Sequence, residues 1–247
     1  RSRRESSHKR QSERVRGWGH APGMSAASSS LRSATNVYSP ETFTAADASS
    51  LAQLMGSGSL GGLERLDLSG KKLGAEALRP VVDALGDGAL PWLRHLNIGG
   101  NKLGDGIEQL AAALKAQMPR INCVLGSLES LHTATNELTN DGVIALTSAL
   151  ALGALPWLKV LGLGGNKIDD RAVESLVESG SAGTFKTLEG LGLDNVGITA
   201  DGVTTMAAGL RDGAFPSLRR LSLSRLHEQH ADIKAAAEER RVHLGFY

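Results

Sequence analysis

Cysteine is nearly absent from this chain. The single Cys123 excludes an intramolecular disulfide and a cysteine-rich metal site, and it suits a reducing compartment. Aromatic residues make up only 4%, so any core must be filled by aliphatic side chains. No apolar run reaches the roughly 18 residues a spanning helix needs, and no signal-peptide h-region is visible. Net charge is also lacking at +1, but that total hides an asymmetry. Residues 1–40 hold eight Arg/Lys against two Glu, about +6, and the remainder holds 19 basic against 24 acidic residues, or −5. A near-neutral folded part lacks the clustered basic surface of a nucleic-acid binder. The first residue is Arg1 rather than Met, which reads as a piece of a longer protein.

What is present is leucine at a fixed period. Leu158, Leu161 and Leu163 are followed by Asn166 and Ile168, and the same frame starts at Leu63, Leu93, Leu128, Leu158, Leu188 and Leu218. The intervals are 30, 35, 30, 30 and 30 residues, the signature of a repeat architecture in one elongated domain. Within each repeat, Leu-x-x-Leu-x-Leu alternates as a half-buried strand does. Leu66 and Leu68, Leu96 and Ile98, Leu161 and Leu163, Leu191 and Leu193, and Leu221 and Leu223 are expected to point inward. In the third layer Thr133 follows Leu131, a weaker match. A helical segment comes next, and Pro91, Pro156 and Pro216 return the chain to an extended entry.

Residues 1–40, rich in Arg and Ser without apolar periodicity, read as a disordered basic segment; a nuclear-import or organelle-transit signal is the alternative. Residues 41–247 are the repeat domain. Its N-terminal cap, 41–62, is a half-repeat with a helix and a missing or degenerate strand. Six repeats span 63–229, and 230–247 form a C-terminal cap ending in an edge strand. The extra stretch at 121–126 leaves the register between the second and third layers open.

The pattern Leu93-Leu96-Ile98-Asn101-Leu103, with its counterparts from Leu63 to Ile198, resembles the leucine-rich repeat family, in its ribonuclease-inhibitor-like branch. Lys71, Val196 and Leu226 depart from the frame asparagine, although Asn195 lies beside Val196. The resemblance implies an α/β horseshoe solenoid with a parallel inner sheet and outer helices. It also implies that Asn101, Asn136 and Asn166 form a structural ladder inside the turns, and that a macromolecule binds the concave strand face. The anchors expected on that face are Arg65, Asp67, His95, Asn97, His132, Asp194, Arg220 and Arg225. Strand alternation leaves it without Trp, Tyr or Phe, and rich in glycine in the middle layers.

Catalysis finds little support. His95 and His132 make a diagonal pair without a third ligand, as do His227 and His230. Gly56-x-Gly58-x-x-Gly61 lies between a helix and a strand, the reverse of a dinucleotide fingerprint, so no cofactor is expected. Cys123 lacks a visible activating environment. The expectation is a non-catalytic protein-interaction module, monomeric and cytoplasmic, with a protein partner and neither nucleic acid nor membrane. The alternatives are a GTPase-activating protein resembling the Ran GTPase-activating protein and the sensor region of a larger NOD-like receptor-type protein.

Overall fold

Leucines spaced by 30 residues can all be buried only if each repeat stacks on the next, and the computed structural model, which describes residues 35–116 and 125–247, has this arrangement. Eight parallel strands form one sheet in sequence order. They are β1 (Asn36–Tyr38), β2 (Arg65–Asp67), β3 (His95–Asn97), β4 (Ser130–His132), β5 (Val160–Gly162), β6 (Gly190–Leu193), β7 (Arg220–Leu223) and β8 (His243–Phe246). The intervening helices are α1 (Ala45–Gly56), α2 (Ala75–Gly86), α3 (Gly106–Ala116), α4 (Asn140–Ala151), α5 (Asp170–Ser181), α6 (Ala200–Arg211) and α7 (Ala231–Arg240), with a 3₁₀ turn at Arg225–His227 before the last. Each helix packs on its neighbours in the stack. Strands sit about 4.8 Å apart while packed helices need about 8–10 Å. The stack therefore bends, with strands on the concave side and helices on the convex side. This is the leucine-rich-repeat solenoid.

The core runs the length of the sheet as rows of identical positions. Val37, Leu66, Leu96, Leu131, Leu161, Leu191, Leu221 and Leu244 are in register across all eight strands. A second buried row holds Leu68, Ile98, Thr133, Leu163, Leu193 and Leu223. The mismatch at Thr133 is resolved locally, because its hydroxyl donates to the carbonyl of Gly162 at 3.0 Å. Three residues before each frame leucine lies another buried anchor: Leu60, Leu90, Leu125, Leu155, Phe185 and Phe215. Its carbonyl accepts the N–H of the frame leucine, as from Leu63 to Leu60 and from Leu128 to Leu125. Phe185 and Phe215, adjacent in this row, stack at 5.5 Å.

Two expectations need correction and one open point closes. The first helix does not lack its strand: Asn36–Tyr38 is that strand, hydrogen-bonded to β2, with Val37 buried. The ordered chain therefore begins before residue 41, because Val37 covers the otherwise open edge of Leu66. Residues 1–34 and 117–124, which include most of the basic segment, Cys123 and part of the 121–126 stretch, lie outside the described residues. The register across the long interval is nonetheless unbroken. His95 pairs with Ser130 and Asn97 with His132, and the frame has resumed by Leu125.

Helix starts follow the side chains at hand. Thr44 and Asp47 form a reciprocal capping box on α1, and Thr139, Asp169 and Thr199 cap α4, α5 and α6. These caps satisfy N–H groups that a helix cannot pair internally.

Candidate functional site

Alternation along each strand puts every second residue on the concave face, and register lines those residues into rows. One row reads Asn36, Arg65, His95, Ser130, Val160, Gly190, Arg220 and His243. The next reads Tyr38, Asp67, Asn97, His132, Gly162, Gly192, Ser222 and Gly245. Arg65, Asp67, His95, Asn97 and His132 come together at the N-terminal end of this face. Arg220 lies at the other end, Asp194 sits one residue past β6, and Arg225 opens the 3₁₀ turn after β7.

At the N-terminal end the polar groups hold one another. The carboxylate of Asp67 accepts the Ser69 N–H at 2.9 Å and Asn97 Nδ2 at 3.3 Å, and Asn97 Oδ1 accepts the Gly99 N–H. Ser130 Oγ and His132 Nε2 are 2.8 Å apart. Burial and the Arg65 guanidinium hold the His95 imidazole below the usual histidine range. Burial likewise lowers His132, against the opposing pull of Asp67. Both rings are thus neutral at neutral pH and act as hydrogen-bond groups rather than cations. Among the described residues no carboxylate is hydrogen-bonded to His132 as a hydrolytic triad requires; Asp67 bonds Ser69 and Asn97 instead. Among the described residues no three His, Cys, Asp or Glu side chains converge on one point.

The glycines in the middle layers make room for their neighbours. A Cβ on Gly162 would lie 3.0 Å from His132 Nδ1, and one on Gly164 would lie 2.7 Å from Asp194 Oδ1. His132 and Asp194 therefore lie flat over glycine floors. A third case corrects the expectation of a face without aromatics. Tyr38 stands in the same row as Asp67, and Tyr247 folds over Gly245 at the opposite end. Tyr38 was missed because a three-residue strand with one apolar residue carries no leucine frame.

Asn101, Asn136 and Asn166 are buried beneath the turn that follows each strand. Asn136 Nδ2 donates to the carbonyls of Ile98 and Thr133 at 2.9 and 3.1 Å, and its Oδ1 accepts the Asn101 N–H at 2.8 Å. Asn166 repeats the pattern, donating to Thr133 and Leu163 and accepting from Asn136 and Leu138. Asn101 donates to Leu68 and Ile98, but its Oδ1 has no partner among the described residues. A carboxamide suits this place because it donates and accepts at once.

One feature outside the concave face escaped sequence reasoning. At the N-terminal ends of the strands a cleft of about 540 Å³ is lined by Trp92, Trp157, Arg94, Glu129, Lys159 and Glu64, together with Gly62 and Ser127. Trp92 and Trp157 are 64% and 60% exposed, a rare condition for so large an apolar surface. Glu129 bridges two layers, accepting from Arg94 on one side and from Lys159 at 2.8 Å on the other. The hydrogen bond from Lys159, then that from Arg94, holds the Glu129 carboxyl below its usual range. The Leu-Pro-Trp-Leu string at Leu90 and Leu155 was the available signal.

The leucine rich repeat family profile matches residues 89–107 and 154–177. No curated protein sequence matches the chain, whereas 69 chains of solved structures do. One of these is Leiomodin-1 Actin-Binding Site 2, 14% identical, with a TM-score of 0.51, covering 65% of this chain and 84% of that one. Likeness of shape without likeness of sequence fits a fold set by the spacing of leucines and indifferent to most other positions. Repeat profile, structural neighbour and eight-stranded parallel stack agree: the fold is a leucine-rich-repeat solenoid.

Proposed function

We propose that the chain is a non-catalytic protein-binding module that holds its partner on the concave strand face. The observation that carries this reading is the pairing of anchor types at both ends of that face. Tyr38 and Arg65 stand at one end, and Arg220 and Tyr247 at the other. None of these arginines takes part in an ion pair among the described residues. Tyrosine and arginine dominate the energetics of protein interfaces, and an exposed guanidinium without a partner has its donors free for a carboxylate. The glycine-lined middle lets a partner approach the backbone between the anchors. The structural neighbour, an actin-binding site of leiomodin-1, supports a protein as the class of partner, without singling out actin. The 30-residue layers, each with a helix of three turns, support the ribonuclease-inhibitor-like branch. The single cysteine supports a reducing, cytoplasmic setting, and we take the solenoid to act as a monomer.

The test is a pull-down from lysate with the unmodified chain and with the double variant Arg65→Glu, Arg220→Glu. Both side chains are exposed, so the thermal midpoint stays unchanged while captured partners are lost, and capture by the unmodified chain weakens as salt is raised. Recovery of the same partners by the variant overturns the reading. A GTP-hydrolysis assay with small GTPases separates it from GTPase activation.

A further inference from the structure

We propose that the cleft between Trp92 and Trp157 is a second binding site, for a proline-rich peptide of the form P-x-x-P flanked by arginine or lysine. The first support is spacing. Trp92, Ser127 and Trp157 each lie three residues before His95, Ser130 and Val160, which are paired across β3, β4 and β5. The two indoles thus stand two strand spacings apart, about 9.6 Å, with only the small Ser127 between them. A polyproline II helix has three residues per turn and a rise of about 3.1 Å, so it repeats every 9.3 Å or so. Such a peptide, laid across the strand ends, presents one proline ring to each tryptophan. Its backbone has no internal hydrogen bonds, so its carbonyls are free to accept from the indole N–H groups.

The turns that carry the tryptophans are held in place. Ser127 Oγ donates to the Pro91 carbonyl at 3.0 Å, and Thr187 Oγ1 donates to the Pro156 carbonyl at 3.3 Å. Pre-set aromatic walls lower the ordering cost of binding.

The second support is charge. Along the strand entries the residues read Glu64, Arg94, Glu129, Lys159, Glu189. The middle three are paired to one another, while Glu64 and Glu189 have no ion pair among the described residues. Each of these two carboxylates lies one strand beyond a tryptophan. At the Trp92 end, where Glu64 lines the cleft, a basic residue just outside the P-x-x-P core therefore meets a carboxylate that is in no ion pair.

The experiment is fluorescence anisotropy of a short labelled peptide, arginine followed by P-x-x-P, titrated with the full chain. Saturable binding is expected below about 1 mM peptide, weakened about tenfold by Trp92→Ala or Trp157→Ala. Both indoles are mostly exposed, and unchanged thermal midpoints confirm that these variants fold. A P-x-x-x-P peptide, which places the second proline off the second tryptophan, binds the unmodified chain about tenfold more weakly. Glu64→Gln weakens the arginine-flanked peptide but not its alanine-flanked counterpart. No binding at that concentration, equal binding of the P-x-x-x-P peptide, or unchanged binding by Trp157→Ala overturns the proposal. Equal binding of a basic peptide without proline also overturns it, leaving the cleft a site for charge alone.

Discussion

The layers around Asn101, Asn136 and Asn166 and the layers that follow them solve one problem in two ways. Each turn after a strand buries backbone groups that must be paired. In the earlier layers a buried carboxamide reaches across the gap and serves both neighbours. In the next layer Val196 stands in the frame position and makes no such bonds. The turn itself is unchanged: Gly100, Thr135, Gly165 and Asn195 all have positive φ, between 52° and 68°. Asn195 is thus the left-handed residue of the turn, a role asparagine tolerates, and is not a displaced rung of the ladder. Cross-layer bonding remains at the helix starts, where Asp170 accepts the Thr199 N–H at 2.8 Å and its hydroxyl at 2.5 Å, as Asn140 accepts the Asp169 N–H one layer before. The difference teaches that apolar register alone holds the stack together, while polar rungs add strength where they are buried.

Three measurements break or sharpen that contrast. The largest effect is expected at the centre of the ladder. Asn136→Ala orphans the Asn101 N–H and leaves the Ile98 and Thr133 carbonyls with one carboxamide donor each, and costs about 1–3 kcal/mol in chemical denaturation. A cost near zero would mean water replaces the side chain, and the two regions would then not differ. A smaller change of opposite sign is expected from Val196→Asn, which offers an acceptor to the Asn166 N–H on a backbone already of the right shape. It stabilises by about 0.5–1.5 kcal/mol, and destabilisation would show that the later layers reject the rung.

The smallest effect concerns the surface bridge at Glu129. Its carboxyl titrates below the ordinary 4.5 in the folded chain because of Lys159 and Arg94. The stability it contributes is therefore present above that value and lost as pH falls through the lower, folded value. Glu129→Gln removes this contribution, so the variant and parent differ slightly near neutrality and converge in acid. A gap that widens in acid would contradict the bridge.

The aliphatic frame was legible because burial of a leucine depends on its own spacing. A period of 30 residues places Leu96, Leu161 and Leu221 on one row without reference to anything else. The asparagine positions were legible for the same reason. The strand at Asn36–Tyr38 was not, since three residues form a strand only when β2 offers its free edge. The tyrosines at the two ends of the concave face followed it out of view. The extra residues before Leu125 hid the register from β3 to β4, which backbone pairing then restored.

By itself, then, the sequence determined the solenoid: its period, its buried rows, its proline-terminated helices and its turn asparagines. These are local or periodic properties, and a repeat needs only its nearest neighbour to realise them. Tertiary structure alone decided the surfaces. Trp92 and Trp157, 65 residues apart in the chain, become the walls of one cleft only because a single layer, that of β4, is stacked between their turns. Arg94, Glu129 and Lys159 become an ion-paired floor for the same reason. Stacking converts positions one period apart into neighbours a strand spacing apart, and only then do side chains from separate repeats act as one site.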